Sequence, residues 1–419
     1  PPMVKKVIGF FIVGIILFVG GSFAISALRT PPPPQLSQDP TVYLETSEVS
    51  QIRTAVDSAS HPNTYLNAAE IADIKAKVED GAEPWKSAYD RMIEEANTAL
   101  SAQPYSITHN GGPNDGHDYQ TQRAYCGWLA VDNREPDCRD GKINPNADRQ
   151  DYEQAIALGK DASTLGLAYA FTDNPVYAEK LLSVIRVWCI NESTRMNPKF
   201  TSQQSKIELS ISIPGLFYGA DLAYRYPNWP AEEKAQFEDW THQMAESALT
   251  WNRTNNFENW RVHFIASAGS LLKDETLLDY AFGRFKELVP VQIDERGRMI
   301  RELDRTNSLS YSLYAVNAMI QTAEIAKHQD IDLYSYTSDG NAGLEQALDY
   351  HAQFAASKEA RGWPHEQISS LKALDNVALY EMAYAHWQKP EYLNVIEYWE
   401  RPMTERRIHW HISLTHGHS

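Results

Sequence analysis

Apolar residues recur at three- and four-residue spacing in segment after segment of this chain, with no sustained two-residue alternation of the kind a half-buried strand shows. The pattern runs through residues 83–100, 151–172, 174–190, 232–249, 274–290, 312–329, 342–357 and 371–387. It excludes a sheet-based core. Asn67 and Glu70 form a capping box ahead of Ile71, Ile74 and Val78, and Gly81 supplies the stop. Links as short as TDNP at 172–175 turn successive helices antiparallel. The expected fold is therefore all-α, a stack of antiparallel helical hairpins closing into an α/α toroid, or incomplete α/α barrel. With 419 residues, 43% of them hydrophobic, one large core is affordable. The toroid is expected over 61–400, followed by a frayed tail over 401–419 whose His409, His411, His416 and His418 carry no metal site.

The two ends of the chain read differently from its middle. Lys5 and Lys6 precede an uncharged run from Val7 to Leu28, long enough to meet the roughly 20 residues a bilayer crossing needs. Ala24-Ile25-Ser26 is also an acceptable cleavage site. Residues 1–28 are expected to be a signal peptide or membrane anchor helix, with the remainder exported and secreted, periplasmic or tethered to the outer face of the membrane. Residues 29–60, rich in Pro, Ser, Thr and Gln, read as a linker or extended segment. In an oxidising compartment Cys126 and Cys138 can form a small disulfide, while Cys189 on an apolar helix reads as a buried thiol. No cysteine pair has metal-ligand spacing. The net charge of −17 repels polyanions from most of the surface, which excludes nucleic acid as a partner and requires any acidic polymer to bind at a focused site.

Two stretches carry chemistry. In residues 251–269, Asn256, Asn259 and His263 share one helix face, beside an apolar face of Phe257, Trp260 and Phe264. A histidine alone there is a core residue; stacked with two amides it reads as part of a row facing a wet groove. In RELDRTNSLSYSLY, residues 301–314, two arginines abut hydroxyls and tyrosines with no apolar stripe until Leu313. Thr306, Asn307 or Ser308 can cap the helix that follows, leaving Arg305 just ahead of it and Tyr311 about one turn inside. The long irregular stretch between Tyr105 and Arg149 is expected to line a site, with His109, His117 and Tyr119 as lid residues.

Taken together, NNxxNW at 255–260, RELDRTNSLSYS at 301–312 and WCINESTRMNPKF at 188–200 resemble the alginate lyase superfamily of polysaccharide lyases, over most of residues 61–390. The resemblance implies an α/α toroid that cleaves a polyuronate, alginate or glucuronan, by β-elimination without a required cofactor. It places Arg305 and Tyr311 at the family's arginine and catalytic tyrosine. Phe257 stands where better-known members carry a histidine, which makes His263, two turns along the same helix, the substitute candidate. Gln203 and Gln204 fall where the family contacts sugar. Asn255, Asn259, Arg301, Trp363 and His365 complete the expected substrate-binding set, with Trp363 able to stack on a sugar ring.

These residue types suit the chemistry. A uronate C5 proton becomes removable only when the neighbouring carboxylate is neutralised and the developing dianion is stabilised. Asn256, with His263 or Arg305, can donate to that carboxylate. Tyr311 can act as both base and acid in a syn elimination, or His263 can be the base and Tyr311 the acid. Two other readings stay open on sequence alone: a glycoside hydrolase using carboxylates such as Glu258, Glu302 and Asp304, and a catalytically inactive carbohydrate-binding envelope protein.

Overall fold

A computed structural model describes residues 37–40, 44–112, 115–125, 140–340, 342–373, 377–404 and 411–419. The leader expected at 1–28 and the cysteines at 126 and 138 lie outside these residues. The described chain is built from helices α1 (Thr46–Ser58), α2 (Ala68–Glu79), α3 (Trp85–Ser101), α4 (Gln150–Thr172), α5 (Pro175–Ile185), α6 (Gln203–Leu222) and α7 (Ala231–Leu249). It continues through α8 (Asn256–Leu272), α9 (Glu275–Gln292), α10 (Ser308–Lys327), α11 (Leu344–Ala355), α12 (Leu379–Trp387), α13 (Pro390–Trp399) and α14 (Ile412–Thr415). Among the described residues, β structure is limited to isolated bridges. None of the described helices is long and apolar enough to cross a membrane.

Alternate helices form an inner row. α4 packs on α6, α6 on α8, and α8 on α10, while α5, α7, α9 and α11 lie against the inner helices next to them in the chain. This is the two-layer packing of an α/α toroid. The inner helices are buried almost all round, so their sequences are uniformly apolar or small and lack a narrow stripe. The α4–α6 contact is a backbone-to-backbone seam: a Cβ placed on Gly219 would lie 2.1 Å from the Ala162 carbonyl oxygen, and one on Gly215 would lie 2.5 Å from that of Gly159. Only glycine permits that approach.

Described residues within both flanking segments pack on the folded body, which differs from the expected linker and frayed tail. Residues 46–58, expected to be linker, form α1, tied to α9 by Lys286–Glu48 at 2.7 Å and Arg53–Glu275 at 3.0 Å. The expected tail carries α14, which touches both α12 and α3 and so bridges the last and first parts of the helical row. Ile412 and Leu414 are fully buried, a contribution of about 1.5–3 kcal/mol each before ordering costs. Thr164 holds His411 at 3.0 Å. Burial keeps that imidazole neutral, its pKa pulled down to about 3. Helix α12 starts at Leu379, later than the periodicity at 371–387 suggests. Cys189 is the buried thiol expected, its pKa pushed up by burial.

Candidate active site

The start of α10 is held from outside the helix. Asn307 is its N-cap residue, but its side chain turns away to accept from the Ser369 N–H at 2.9 Å. The free N–H groups of Leu309 and Ser310 instead donate to Gln367 Oε1, at 3.1 and 3.2 Å. Ser308 donates its N–H and hydroxyl to the Glu366 carbonyl, and Trp363 Nε1 donates to Ser308 Oγ at 2.7 Å. The RGWPHEQ segment thus supplies the cap that the residues before α10 were expected to provide. It fixes the direction in which Arg305 and Tyr311 leave the backbone.

Arg305 lies over Tyr311, its guanidinium carbon 3.6 Å from the ring centroid. Its Nε and Nη2 both donate to the Asp140 carboxylate at 2.9 Å, a bidentate pair. Asp140 arrives on the long loop, where Thr306 Oγ1 donates to its carbonyl at 2.6 Å. The next residue, Gly141, has φ +78°, and a Cβ there would meet Asn307 Nδ2 at 2.5 Å. Arg305 holds the Asp140 carboxyl below its ordinary range against the upward pull of burial. Burial in turn pushes the Tyr311 phenol well above 10, helped by its hydrogen bond to Tyr125, and Arg305 only partly offsets this. Tyr311 is therefore a proton-bearing phenol, partly open to solvent, beside a cation already engaged by one carboxylate.

Asn256, in the first turn of α8, joins this group through Glu302. Both its backbone N–H and its side-chain Nδ2 donate to Glu302 Oε1, at 2.8 and 2.9 Å. Glu302 Oε2 lies 3.8 Å from Arg305 Nη1. Asn255 precedes the helix as its N-cap residue, and Phe257 is half-buried in the first turn. The set offers amide and guanidinium donors beside a phenol, the types that can take up a carboxylate and move a proton next to it.

The sequence profile described as Alginate lyase matches residues 108–363, more than half of the chain. This chain belongs to the alginate lyase family. Solved structures share its fold. An alginate lyase from Bacteroides ovatus superposes with a TM-score of 0.72 at 22% identity, covering 85% of this chain and 99% of that one. Alginate lyase A1-III from Sphingomonas species A1 gives 0.60 at 20% identity, covering 85% and 99%. A variant of A1-III complexed with tetrasaccharide gives 0.57 at 21% identity, covering 78% and 93%. No curated protein matches the chain. As a family member the protein is a polysaccharide lyase, an enzyme, which displaces the hydrolase and inactive readings. Glu258 and Glu302 moreover are fully buried, Glu258 within an ion pair to the equally buried Arg261.

In this alginate lyase family chain the remaining predicted residues divide sharply. His263 does not line a groove: it is fully buried, hydrogen-bonded to the Tyr65 hydroxyl, and burial lowers its pKa to about 3. Asn259, one turn earlier, is also buried, and neither of its amide atoms has a partner among the described residues. The row expected on one face of α8 is thus enclosed along its length, Asn256 included at 1% exposed, with Tyr65 packed on His263. Gln203, in the first turn of α6, accepts from Arg253, and Gln204 donates to Glu208 at 3.0 Å. Arg301 donates to the Val291 carbonyl at 3.1 Å. Trp363 and His365 pack 5.3 Å apart, with Trp363 committed to the α10 clamp. Tyr119 is no lid residue; it is buried and donates to Glu208 at 2.9 Å. His117 is held by the Arg195 carbonyl, and His109 is exposed beside Tyr105.

Sequence reasoning missed Asp140 and Tyr125, although both lie in the long loop expected to line a site. It also read Glu302 only as a surface ion-pair partner or hydrolytic carboxylate. Among the described residues, Glu70, Glu324 and His328 bring ligand-type atoms within 4.8 Å of one another. Lys327 already donates to both carboxylates, so the group is satisfied as an ion-pair network. It lies at the far end of α10 from Tyr311, about 25 Å along the helix at 1.5 Å per residue.

Proposed function

We propose that the enzyme cleaves a polyuronate, alginate or glucuronan, by β-elimination at the Arg305–Tyr311–Asn256 site. The observation that carries this reading is the Arg305 guanidinium stacked on the Tyr311 ring and linked through Glu302 to the Asn256 amide. Arg305 and Asn256 donate to the uronate carboxylate and stabilise the charge that develops when C5 is deprotonated. Tyr311 protonates O4 as the C4–O4 bond breaks and the C4–C5 double bond forms. With His263 shut inside the core, the same phenol oxygen receives the C5 proton, in a syn elimination. The proton given to O4 is replaced by the one taken from C5, so the phenol is regenerated, and Tyr125, hydrogen-bonded to Tyr311 and 37% exposed, orients its hydroxyl.

The complexes of related lyases with tetrasaccharide support an acidic polysaccharide as the partner. We further propose export, from Lys5, Lys6 and the apolar run to Leu28, with tethering wherever that run is retained. The test of substrate is a panel of polymannuronate, polyguluronate and glucuronan, read by ultraviolet absorbance of the unsaturated uronide. Elimination gives an absorbing product, and hydrolysis gives none.

A further inference from the structure

Glu302 is a buried carboxyl for which the elimination just described has no step. It shows none of its surface to solvent. Oε1 accepts both N–H groups of Asn256, while Oε2 has no hydrogen-bond partner among the described residues and faces Arg305 Nη1 at 3.8 Å. The charged groups around it are Arg305, from the turn before α10, and Asp140, from the long loop; α8 faces it with the neutral Asn256 amide. One guanidinium therefore serves two carboxylates before any substrate arrives. A uronate carboxylate entering beside Asn256 and Arg305 would be the third.

The bond from Nδ2 to Oε1 fixes the Asn256 amide plane and leaves one N–H of this buried amide for a further acceptor. An ionised Glu302 would repel the carboxylate that this N–H is aimed to bind; a protonated one removes the repulsion and keeps its carbonyl-type oxygen as acceptor. We propose that Glu302 is a positioning residue of this lyase, presenting Asn256 to the uronate carboxylate as a neutral acid, so that polyuronate binding takes up a proton at Glu302. The inference rests on the polyuronate reading of the site. Burial, which raises the carboxyl to about 7 against the pull of Asn256 and Arg305, fits this role.

The experiment uses the full chain and the polyuronate it degrades fastest. For the parent, kcat/KM should fall about tenfold per pH unit above about pH 7, carried by KM, as a single required proton is lost. In Glu302→Gln, which retains the acceptor and the shape, that rise in KM with pH should vanish. Binding titrations of Tyr311→Phe in two buffers of different ionisation enthalpy should show about one proton taken up at about pH 8, and none when Glu302→Gln is added. An unchanged pH profile in Glu302→Gln, or no proton uptake by Tyr311→Phe, overturns the proposal while leaving the lyase reading intact. A parent that degrades no polyuronate overturns both.

Discussion

The Arg305 guanidinium lies 3.6 Å above the Tyr311 ring while its Nε and Nη2 donate to Asp140 at 2.9 Å. The arginine is thus fixed in plane by a carboxylate on one side and by an aromatic face on the other. Lysine keeps the charge but can make neither the bidentate pair nor the flat stack. Arg305→Lys should lower kcat/KM by about ten- to a hundredfold, the worth of a charge-assisted hydrogen bond, and Arg305→Ala should raise KM and lower kcat together. Steady-state kinetics on the preferred polyuronate checks both.

His263 is a core residue where the sequence suggests a site residue. His263 is buried against Tyr65, so His263→Leu should cost about 1–3 kcal/mol of stability by removing its hydrogen bond with the Tyr65 hydroxyl. Its kcat per folded molecule should be unchanged. Phe257 is half-buried beside Asn256, and Phe257→His adds a donor where the substrate carboxylate is proposed to bind. That variant should raise kcat/KM. Thermal melting and kinetics on the two proteins separate these effects.

The glycine seam between α4 and α6 makes a stability prediction away from the site. A methyl group at position 219 meets the Ala162 carbonyl oxygen at 2.1 Å, and backbone cannot swing aside as a side chain can. Gly219→Ala should destabilise by about 1–3 kcal/mol, as overpacked cores do. The replacement adds helix propensity, so a protein stabilised in chemical denaturation would contradict the seam.

Glu70 and His328 join α2 to the end of α10 at 2.8 Å. Burial pushes Glu70 up, but His328 outweighs it and lowers the carboxyl from 4.5 to about 2. That stability is present above about pH 4.5 and is lost as pH falls toward 2. His328 moves the other way: burial opposes its charge, yet Glu70 and Glu324 raise its pKa above 6.5. Its contribution is complete below 6.5 and is lost as pH rises through the higher folded value. The melting midpoint should therefore peak between these limits, and His328→Gln should remove the alkaline decline at a cost of about 1–3 kcal/mol.

How much of this was legible in the sequence depended on whether a residue's environment is local. Helices with one exposed face, such as α3 and α11, announce themselves by spacing, and their observed ends fall within two residues of the expected ones. Helix α6 is buried all round and contains Pro214, so it offers no stripe to read beyond its polar start. Arg305 and Tyr311 were readable because they share a short motif. Asp140 was not, because its meaning comes from a loop folded back over 165 residues of chain. The amide row on α8 had the correct helical phase, but phase alone cannot say that His263 and Asn259 are buried, with Tyr65 packed on His263. The histidines of the last residues looked like a loose tail because their partners, Thr164 and Glu324, lie far away in sequence.

The central claim is that the phenol of Tyr311 moves the protons of the elimination. Tyr311→Phe keeps the ring on which Arg305 stacks and removes only the hydroxyl, so the pocket and its arginine stay in place. Turnover of the preferred polyuronate, followed by the absorbance of the unsaturated product, should fall by at least about a hundredfold with polymer binding retained. Turnover within a few-fold of the parent would contradict the account.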